Sequence, residues 1–353
     1  MIDYNKYAPI LKGKEGEFRA LQKLSSYIKD DIIPIIDLVP NKQKKIEAHV
    51  QSIIKYFEKW DLQRLIYVDG YMLNDSVLLP TGIHPVQSVL TNLISKGYNV
   101  IPVLSYVVSF GLKTILKDIS LEIKKGIAIR IFVKTLEEVN SNIEEILAFL
   151  QFKPDQIDLI IDLRSIIEAD THERINFVTR LFSSLIFLNL WRSITLSGGN
   201  FPIDLTELRA DEVHSIKRKQ WHVWRAFVMN NPERIPAFSD YAISHPSLSE
   251  LTGDQINASA SIRYTHEENY YVYRGRGTRQ HGFSQFFDIS ETLINNRTHF
   301  YGIEHCEGDK FINKCGIVKD RPGNLTTWRW VGTVHHITVV VNQLRQFFRS
   351  LSA

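Results

Sequence analysis

The chain has 353 residues, of which 44% are hydrophobic and 23% charged, values typical of a packed globular protein and unlike those of a disordered chain. The formal net charge of +3 is too small to indicate a partner. The charge is uneven, however, because residues 260–353 carry 12 Lys and Arg against 8 Asp and Glu. This local excess points to an anionic ligand near the C-terminal end.

From the start of the chain, short runs of β-branched residues alternate with longer stretches that have apolar residues every three or four positions. Several runs are apolar without alternation, as expected for parallel strands that are covered on both faces. The eight predicted strands cover residues 8–11, 32–36, 65–68, 100–104, 127–133, 157–161, 193–196 and 235–238. Eight strand–helix units predict a (β/α)₈ TIM-type barrel over residues 1–243. The alternative is an open sheet, which the lack of a glycine-rich dinucleotide fingerprint after the first strand disfavours.

Two of the predicted helices show clear apolar faces. The first has Phe18, Leu21, Leu24 and Ile28 on one face. The second has a face formed by residues 175–185, and Thr171 is its predicted N-cap.

Residues 244–353 are predicted to form a C-terminal α+β extension packed on the barrel. A long loop over 244–261 leads into a hairpin of residues 261–264 and 270–273, and a helix follows over 282–295. The last helix has an apolar stripe that must be buried against the barrel or a second copy of the chain, so a homo-oligomer stays open. The stripe consists of Ile337, Val340, Val341, Leu344, Phe347, Phe348 and Leu351.

Polar side chains follow the predicted strands, and in a (β/α)₈ barrel the ligand site lies at the carboxyl ends of the strands. Carboxylates near Lys and Arg in such a recess can act as acids or bases. The alternative is that buried Asp–Arg pairs simply close the barrel. The candidate catalytic residues are Lys12, Asp37, Asp69, Asp162, Arg164 and Asp240, and Arg130 inside the fifth strand is a ligand-binding candidate.

Two further segments suggest phosphate binding. Ser197 and Gly198, in a Ser-Gly-Gly-Asn run after the seventh strand, could hold a phosphate through backbone N–H groups, or could form a tight turn with positive φ. Tyr273, Arg274 and Arg276 combine tyrosine, arginine and glycine, as in sites for phosphate and stacked bases. The competing interpretation is a glycine turn with solvated arginines.

The cysteines and histidines of the extension do not match a standard zinc motif. Cys306 and Cys315 are separated by eight residues, and His335 and His336 would point in different directions on a helix. We therefore expect no metal site and no disulfide framework. The N-terminus lacks the apolar core of a signal peptide and no apolar run reaches membrane-spanning length, so we expect a cytoplasmic protein without membrane contact.

Both ends of the chain resemble the beta protein family. The resemblance is carried by residues 7–12, 16–18 and 33–37 at the start, and by residues 327–329 and 331–338 near the end. The family occurs in bacteria, phages and mobile elements, often beside defence-type genes, so the resemblance implies a host–phage context, including antiviral defence. It assigns no reaction to any residue. Membership of these motifs makes Trp328, Arg329, His335 and His336 ligand-binding candidates.

Two functional hypotheses follow. In the first, the barrel mouth binds or hydrolyses a phosphorylated or nucleotide-like molecule. In the second, the chain is a non-catalytic interaction protein whose basic extension binds nucleic acid, or a phage or defence-system protein. The sequence does not identify a cofactor, so whether one is needed stays unknown. A shared cavity next to Asp37, Asp69 and Asp162 would favour the first hypothesis.

Overall fold

The computed structural model describes residues 1–73, 76–249 and 258–351. All eight predicted barrel strands are present. The strands are β1 (Ile10–Lys12), β2 (Ile35–Asp37), β3 (Ile66–Asp69), β4 (Val100–Ser105), β5 (Ile127–Phe132), β6 (Ile157–Ser165), β7 (Ser193–Gly199), β8 (Glu212–Lys217) in a second sheet, and β9 (Ala237–Asp240), the eighth barrel strand.

The eight barrel strands are parallel and pair in the order β1-β2-β3-β4-β5-β6-β7-β9. Tyr7 closes the ring through parallel bridges to both Ile32 and Phe238. The Ala8 N–H donates to the carbonyl of Phe238 at 3.0 Å, which adds a hydrogen bond across the closure. The predicted TIM-type barrel is therefore confirmed.

Helices surround the barrel: α1 (Glu15–Lys23), α2 (Ser26–Lys29), α3 (Ile46–Phe57), α4 (Pro85–Ser95), α5 (Phe110–Ile123), α6 (Leu136–Leu150), α7 (Thr171–Ser184) and α8 (Lys219–Met229). Two predicted details need correction. The N-cap of α7 is Asp170, not Thr171, because its carboxylate accepts from the N–H groups of His172 and Glu173. The face from Phe18 to Ile28 is shared by two helices, because Leu24 is extended and ends α1.

Side chains of alternate strand residues point into the barrel or out to the helices. The interior holds a compact apolar layer that includes Ile10, Ile35, Tyr67, Val103 and Ile160. The larger core lies between strands and helices. The residue two positions after each interior residue also points inward. This alternation therefore decides which polar residues at the strand ends face the barrel interior and which face the helices.

The extension contains the predicted hairpin, β10 (Ser259–His266) and β11 (Asn269–Gly277), and β8 pairs with β11 to complete a three-stranded antiparallel sheet. Four helices follow: α9 (Thr278–His281), α10 (Gln285–Asn295), α11 (Glu307–Val318) and α12 (Leu325–Leu351). The predicted loop over 244–261 lies partly outside the described residues. No helix within the described ranges is both long and apolar enough to cross a membrane.

The stripe of α12 is largely buried, as predicted. Ile337 and Val340 are fully buried, and the Phe347 ring lies 5.3 Å from that of Trp224 on α8. Leu351 is the exception, because it is 48% exposed at the end of the helix. The helix therefore attaches the extension to the barrel wall.

Candidate site at the carboxyl-terminal mouth of the barrel

A layer of polar side chains lies above the apolar interior, where the strands end. Asp37, Asp69 and Arg130 each follow an interior residue of the same strand by two positions, so they point inward. Two of them lie side by side across adjacent strands, because Asp37 on β2 pairs with Asp69 on β3. On its other side, Asp37 pairs with Lys12 on β1. Asp162 completes the layer from β6.

Arg130 binds three carboxylates at once. Its Nη1 is 2.7 Å from Oδ1 of Asp37 and 3.0 Å from Oδ2 of Asp69, and its Nη2 is 2.8 Å from Oδ2 of Asp162. Nη2 also donates to the Tyr241 hydroxyl at 2.7 Å. The side chains of Arg130, Asp37 and Asp162 have no solvent exposure. This arrangement is the buried Asp–Arg closure that the sequence left open as an alternative.

The carboxylates of this cluster outnumber its central cation. Burial raises the pKa of Asp37 to about 6, with Arg130 opposing and Asp69 reinforcing the shift. Burial also raises the pKa of Asp69, although Arg130, the Tyr71 N–H and the Ser105 hydroxyl oppose it. Burial thus disfavours the charged form of both carboxyl groups, and hydrogen bonds rather than bulk water stabilise it.

Some polar atoms of this layer have no hydrogen-bond partner among the described protein groups. They are Oδ2 of Asp37 and the hydroxyl oxygens of Thr195, Ser197 and Ser239. Ser197 on β7 and Ser239 on β9 are paired with each other. Asp37 lies on β2, which is separated from β9 only by β1, where the ring closes. Buried polar groups are normally satisfied, so this arc indicates a place for water or a polar ligand group.

Arg164 covers the cluster from the end of β6. Its backbone has φ of 57°, in the left-handed region, and its N–H donates to Oδ1 of Asp162 at 2.8 Å. Its guanidinium donates to the Tyr71 hydroxyl at 2.5 Å and, from Nη2, to the Ser247 hydroxyl at 3.4 Å. The carboxylates thus lie beneath Arg164 and two tyrosines rather than in open solvent.

Lys12 lies at the same mouth but faces the extension. Its Nζ donates to the Ser247 carbonyl at 2.7 Å. Burial, with the nearby cations Lys14 and Arg329, lowers the pKa of Lys12 to about 7, although Asp37 and Glu17 oppose the shift. The structure thus brings together Lys12, Asp37, Asp69, Asp162 and Arg164.

Asp240 does not join them, contrary to the expectation of one shared recess. It follows the outward-facing Phe238 by two positions and therefore points to the helices. Its Oδ2 accepts from Gln220 at 3.3 Å, and Nε2 of His336 lies 3.2 Å away. Burial opposes ionisation of Asp240, but His336, Arg218 and Tyr7 lower its pKa overall. Asp240 and His336 therefore connect the barrel wall to α12.

Ser197 and Gly198 lie in the last residues of β7, where their backbone pairs with β6 and β9. The segment is a strand end, and neither glycine has positive φ. A Cβ at Gly199 would lie 2.9 Å from Pro246 and 3.1 Å from Tyr241, so close packing requires the glycine. The Ser197 side chain nonetheless points into the mouth.

The Tyr-Arg-Gly segment of β11 is largely engaged within the chain. Tyr273 is buried and shares a 2.7 Å hydrogen bond with Nδ1 of His299. Arg274 donates to the Leu205 carbonyl, and Arg276 donates to Asp211 at 2.6 Å. Of these three side chains, only that of Arg276 is largely exposed, at 58%.

A cavity of about 410 Å³ lies between the extension and the loop after β7. Arg263, Arg274 and Arg329 line it together with the rings of Phe286 and Trp328, and among the described residues Asp204 is the one carboxylate in its lining. Burial and the nearby Arg329 lower the pKa of Arg263 well below its usual range. Arg329 also neighbours Lys12, so the cavity and the mouth share one cationic edge.

The adjacent histidines of α12 point in different directions, as predicted. His336 faces Asp240, whereas Nδ1 of His335 lies 2.9 Å from Oδ2 of Asp309. His305, Asp309 and His335 each place one possible ligand atom within 4.8 Å of the others. These three side chains could hold a metal ion. Cys315 lies apart, with its thiol donating to the Phe286 carbonyl at 3.5 Å.

Sequence reasoning missed several residues of these sites. They include Tyr241, whose hydroxyl accepts from Arg130 at 2.7 Å, and Ser105, which donates to Asp69 at 2.8 Å. Counting every second residue from the apolar interior would have selected Ser105 and Tyr241 and rejected Asp240. Asp309 was also missed, because an Asp three residues after Cys306 is typical of the first turn of a helix and does not by itself indicate a site.

The fold and the mouth define a (β/α)₈ barrel with a covered ionic cluster and a cationic edge. The beta protein family model matches residues 7–342, and the chain therefore belongs to the beta protein family. No curated protein matches the sequence.

Solved structures with similar coordinates share little sequence. Triosephosphate isomerase from Bartonella henselae is 14% identical, with 67% of this chain and 92% of that chain covered and a TM-score of 0.34. The YdjI aldolase from Escherichia coli K12 is 9% identical, with 97% and 92% covered and a TM-score of 0.37. At these values the likenesses carry no functional information.

Proposed function

We propose that this protein binds an anionic, phosphorylated or nucleotide-like ligand at the cationic edge of the barrel mouth, in the setting of conflict between bacteria and phages. The observation that carries the proposal is the group of neighbouring cations Lys12, Arg263 and Arg329. Burial and mutual repulsion lower the pKa of Lys12 to about 7 and that of Arg263 below its usual range. An anion placed among them would relieve this repulsion.

The nearby carboxylates offset only part of the positive charge of this edge. Glu17 is nearly buried and lies 3.8 Å from Nε of Arg329, and Asp37 is already paired with Arg130. Arg263 donates to the Ile243 carbonyl, and no carboxylate of the described residues lies within ion-pair distance of it. Guanidinium groups in such surroundings bind phosphate bidentately, and Trp328 and Phe286 offer apolar faces beside them.

We place binding ahead of hydrolysis. Asp37, Asp69 and Asp162 are fully buried and each contacts Arg130, so none is free to activate water at the surface. The hydroxyl groups of Ser197 and Ser239, which have no hydrogen-bond partner among the described residues, could form hydrogen bonds with a polar group of the ligand that reaches into the barrel.

The test is a thermal-shift and calorimetric survey of the full chain with pyrophosphate, nucleoside phosphates and sugar phosphates at low salt. We expect at least one to bind, and the Lys12→Met variant to bind it at least tenfold more weakly, which corresponds to about 1.4 kcal/mol. Lys117→Met is the matched control, because Lys117 also donates to a backbone carbonyl, that of Phe149, at 2.8 Å, but on α5. Equal losses in both variants, or no binding by any compound, would contradict the proposal.

A second candidate is nucleic-acid binding by the extension. It is favoured by the charge excess of residues 260–353 and by the exposed Arg276. Binding of this kind weakens steeply with salt, and Arg276→Ala should lower both the affinity and the salt slope. Arg274 is less useful for this test, because its guanidinium supports the Leu205 carbonyl.

A further inference from the structure

We infer that His305, Asp309 and His335 form a site for a divalent transition-metal ion of the Zn²⁺ type within the extension. This site is separate from the barrel mouth and does not depend on the proposed function. It departs from the expectation, drawn from cysteine and histidine spacing, that the chain has no metal site.

The three side chains converge from different elements. His305 precedes α11, Asp309 lies in its first turn, and His335 lies in the middle of α12. Their possible ligand atoms all lie within 4.8 Å of one another. Ligand atoms around a tetrahedral zinc ion are separated by roughly 3.2–3.8 Å, since the bonds are about 2.0–2.3 Å long. Only small side-chain adjustments separate the two arrangements.

The orientation of His335 is that of a metal ligand. Its Nε2 lies 2.7 Å from the Thr265 carbonyl, which can only accept, so Nε2 carries a proton. Its Nδ1 faces Oδ2 of Asp309 at 2.9 Å. Metal-ligating histidines characteristically donate their second nitrogen to a carbonyl or carboxylate, which fixes the tautomer and the direction of the ligating lone pair.

Asp309 is oriented in the same way. The Tyr264 hydroxyl donates to its Oδ1 at 2.7 Å and leaves Oδ2 facing the histidine. Oδ2 of Asp309 and Nδ1 of His335 therefore face each other at 2.9 Å, and a metal ion beside them could accept a lone pair from each.

His305 completes the donor set, and Cys306 lies next to it in the chain. Nε2 of His305 is buried and has no hydrogen-bond partner among the described residues, although the ring stacks on Tyr301 with a centroid separation of 4.6 Å. The Cys306 thiol lies 2.9 Å from Oδ2 of Asp309. Two imidazoles and one carboxylate suit zinc better than magnesium or calcium, which prefer oxygen ligands alone.

The metal would join α11 and α12 next to β10. The His335 ring of α12 stacks on Tyr264 of β10, with centroids 3.7 Å apart, so all three elements meet at this point. Binding at a site that forms only in the folded chain stabilises the fold. The ion is therefore expected to be structural rather than exchanged during a reaction.

The experiment uses the full chain without a histidine tag. We expect about one equivalent of zinc by elemental analysis, and we expect a chelator to lower the unfolding temperature and added ZnCl₂ to restore it. Co²⁺ in its place should give the visible absorption of a tetrahedral site. His305→Gln should weaken Zn²⁺ binding at least tenfold while the far-ultraviolet circular dichroism is unchanged, because Nε2 supports no hydrogen bond in the fold.

His281→Gln is the matched control, since His281 is an exposed histidine on the neighbouring α9. It should bind zinc as the wild type does. The inference is overturned if the wild-type chain neither holds nor is stabilised by zinc, or if His305→Gln and His281→Gln bind it equally. Either result would leave Asp309 and His335 as a buried ion pair.

Discussion

The Arg130→Met substitution tests the buried ionic cluster. It removes the cation that contacts Asp37, Asp69 and Asp162 while keeping a flexible side chain of similar length. Removing one partner of a buried ion pair typically costs 3–5 kcal/mol, because the remaining charge is uncompensated. Since three carboxylates lose their partner here, we expect a loss of about 5 kcal/mol at pH 7.5, a large part of the 5–15 kcal/mol typical of a folded protein.

The loss should depend on pH in a specific direction. The folded pKa of Asp37 is about 6, above the unfolded value of about 3.9, so its protonated form is favoured in the fold. Such a group contributes most at low pH, and its contribution is lost as pH rises through the folded pKa. Arg130 lowers this pKa, so removing the arginine raises it further. The deficit of the variant should therefore shrink as pH falls from 7 towards 4.

Urea denaturation of both proteins between pH 4 and 8 measures this effect. Arg192→Met is the matched control, because Arg192 pairs with one carboxylate, Asp158, at 2.5 Å inside the opposite end of the barrel. It should cost less than Arg130→Met. A loss below about 1 kcal/mol in Arg130→Met, constant with pH, would refute the assignment of charge to this cluster.

Three further predictions concern packing. Gly199→Ala should cost about 1–3 kcal/mol in urea denaturation, because the added Cβ would overlap Pro246, whereas Gly82→Ala, in open space although at positive φ, should cost less. His336→Phe should destabilise the chain by about 1–3 kcal/mol, because Asp240 loses a buried partner, and an unchanged midpoint would mean that the pair contributes nothing. Deleting residues 335–353 should make the protein insoluble or lower its unfolding midpoint markedly. A soluble truncation with unchanged mass and midpoint would contradict the role given to the stripe of α12, and loss of dimer mass alone would make α12 an oligomerisation element.

The barrel was predictable because its signal is repeated. Most of the barrel strands are largely apolar and are followed by a helix, so an error in one unit does not change the fold. The strand β8 was missed for the opposite reason. Its side chains alternate between exposed and half-buried, and Val213 is 44% exposed, so it has no apolar face to detect.

The sequence predicted which residues lie at the mouth of the barrel, but not which of them contact one another. Strand ends in a parallel barrel converge, and this places Asp37, Asp69 and Asp162 together. That all three bind the single Arg130 depends on side-chain reach across the barrel, which no local pattern encodes. The pairing of His335 with Asp309 is likewise non-local, because it requires α11 and α12 to pack against each other.

The most direct test of the central claim is the pH dependence of pyrophosphate affinity in the wild type and in Lys12→Arg. Because the pKa of Lys12 is about 7, the wild-type lysine is charged below that pH and loses its charge above it. Arginine keeps its charge throughout this range. We predict that the ratio of wild-type affinity to Lys12→Arg affinity falls as pH rises from about 6 to about 8.5, because the ionisation of pyrophosphate over this range affects both proteins alike. Parallel pH profiles, or affinity that is independent of residue 12, would contradict anion binding at the barrel mouth.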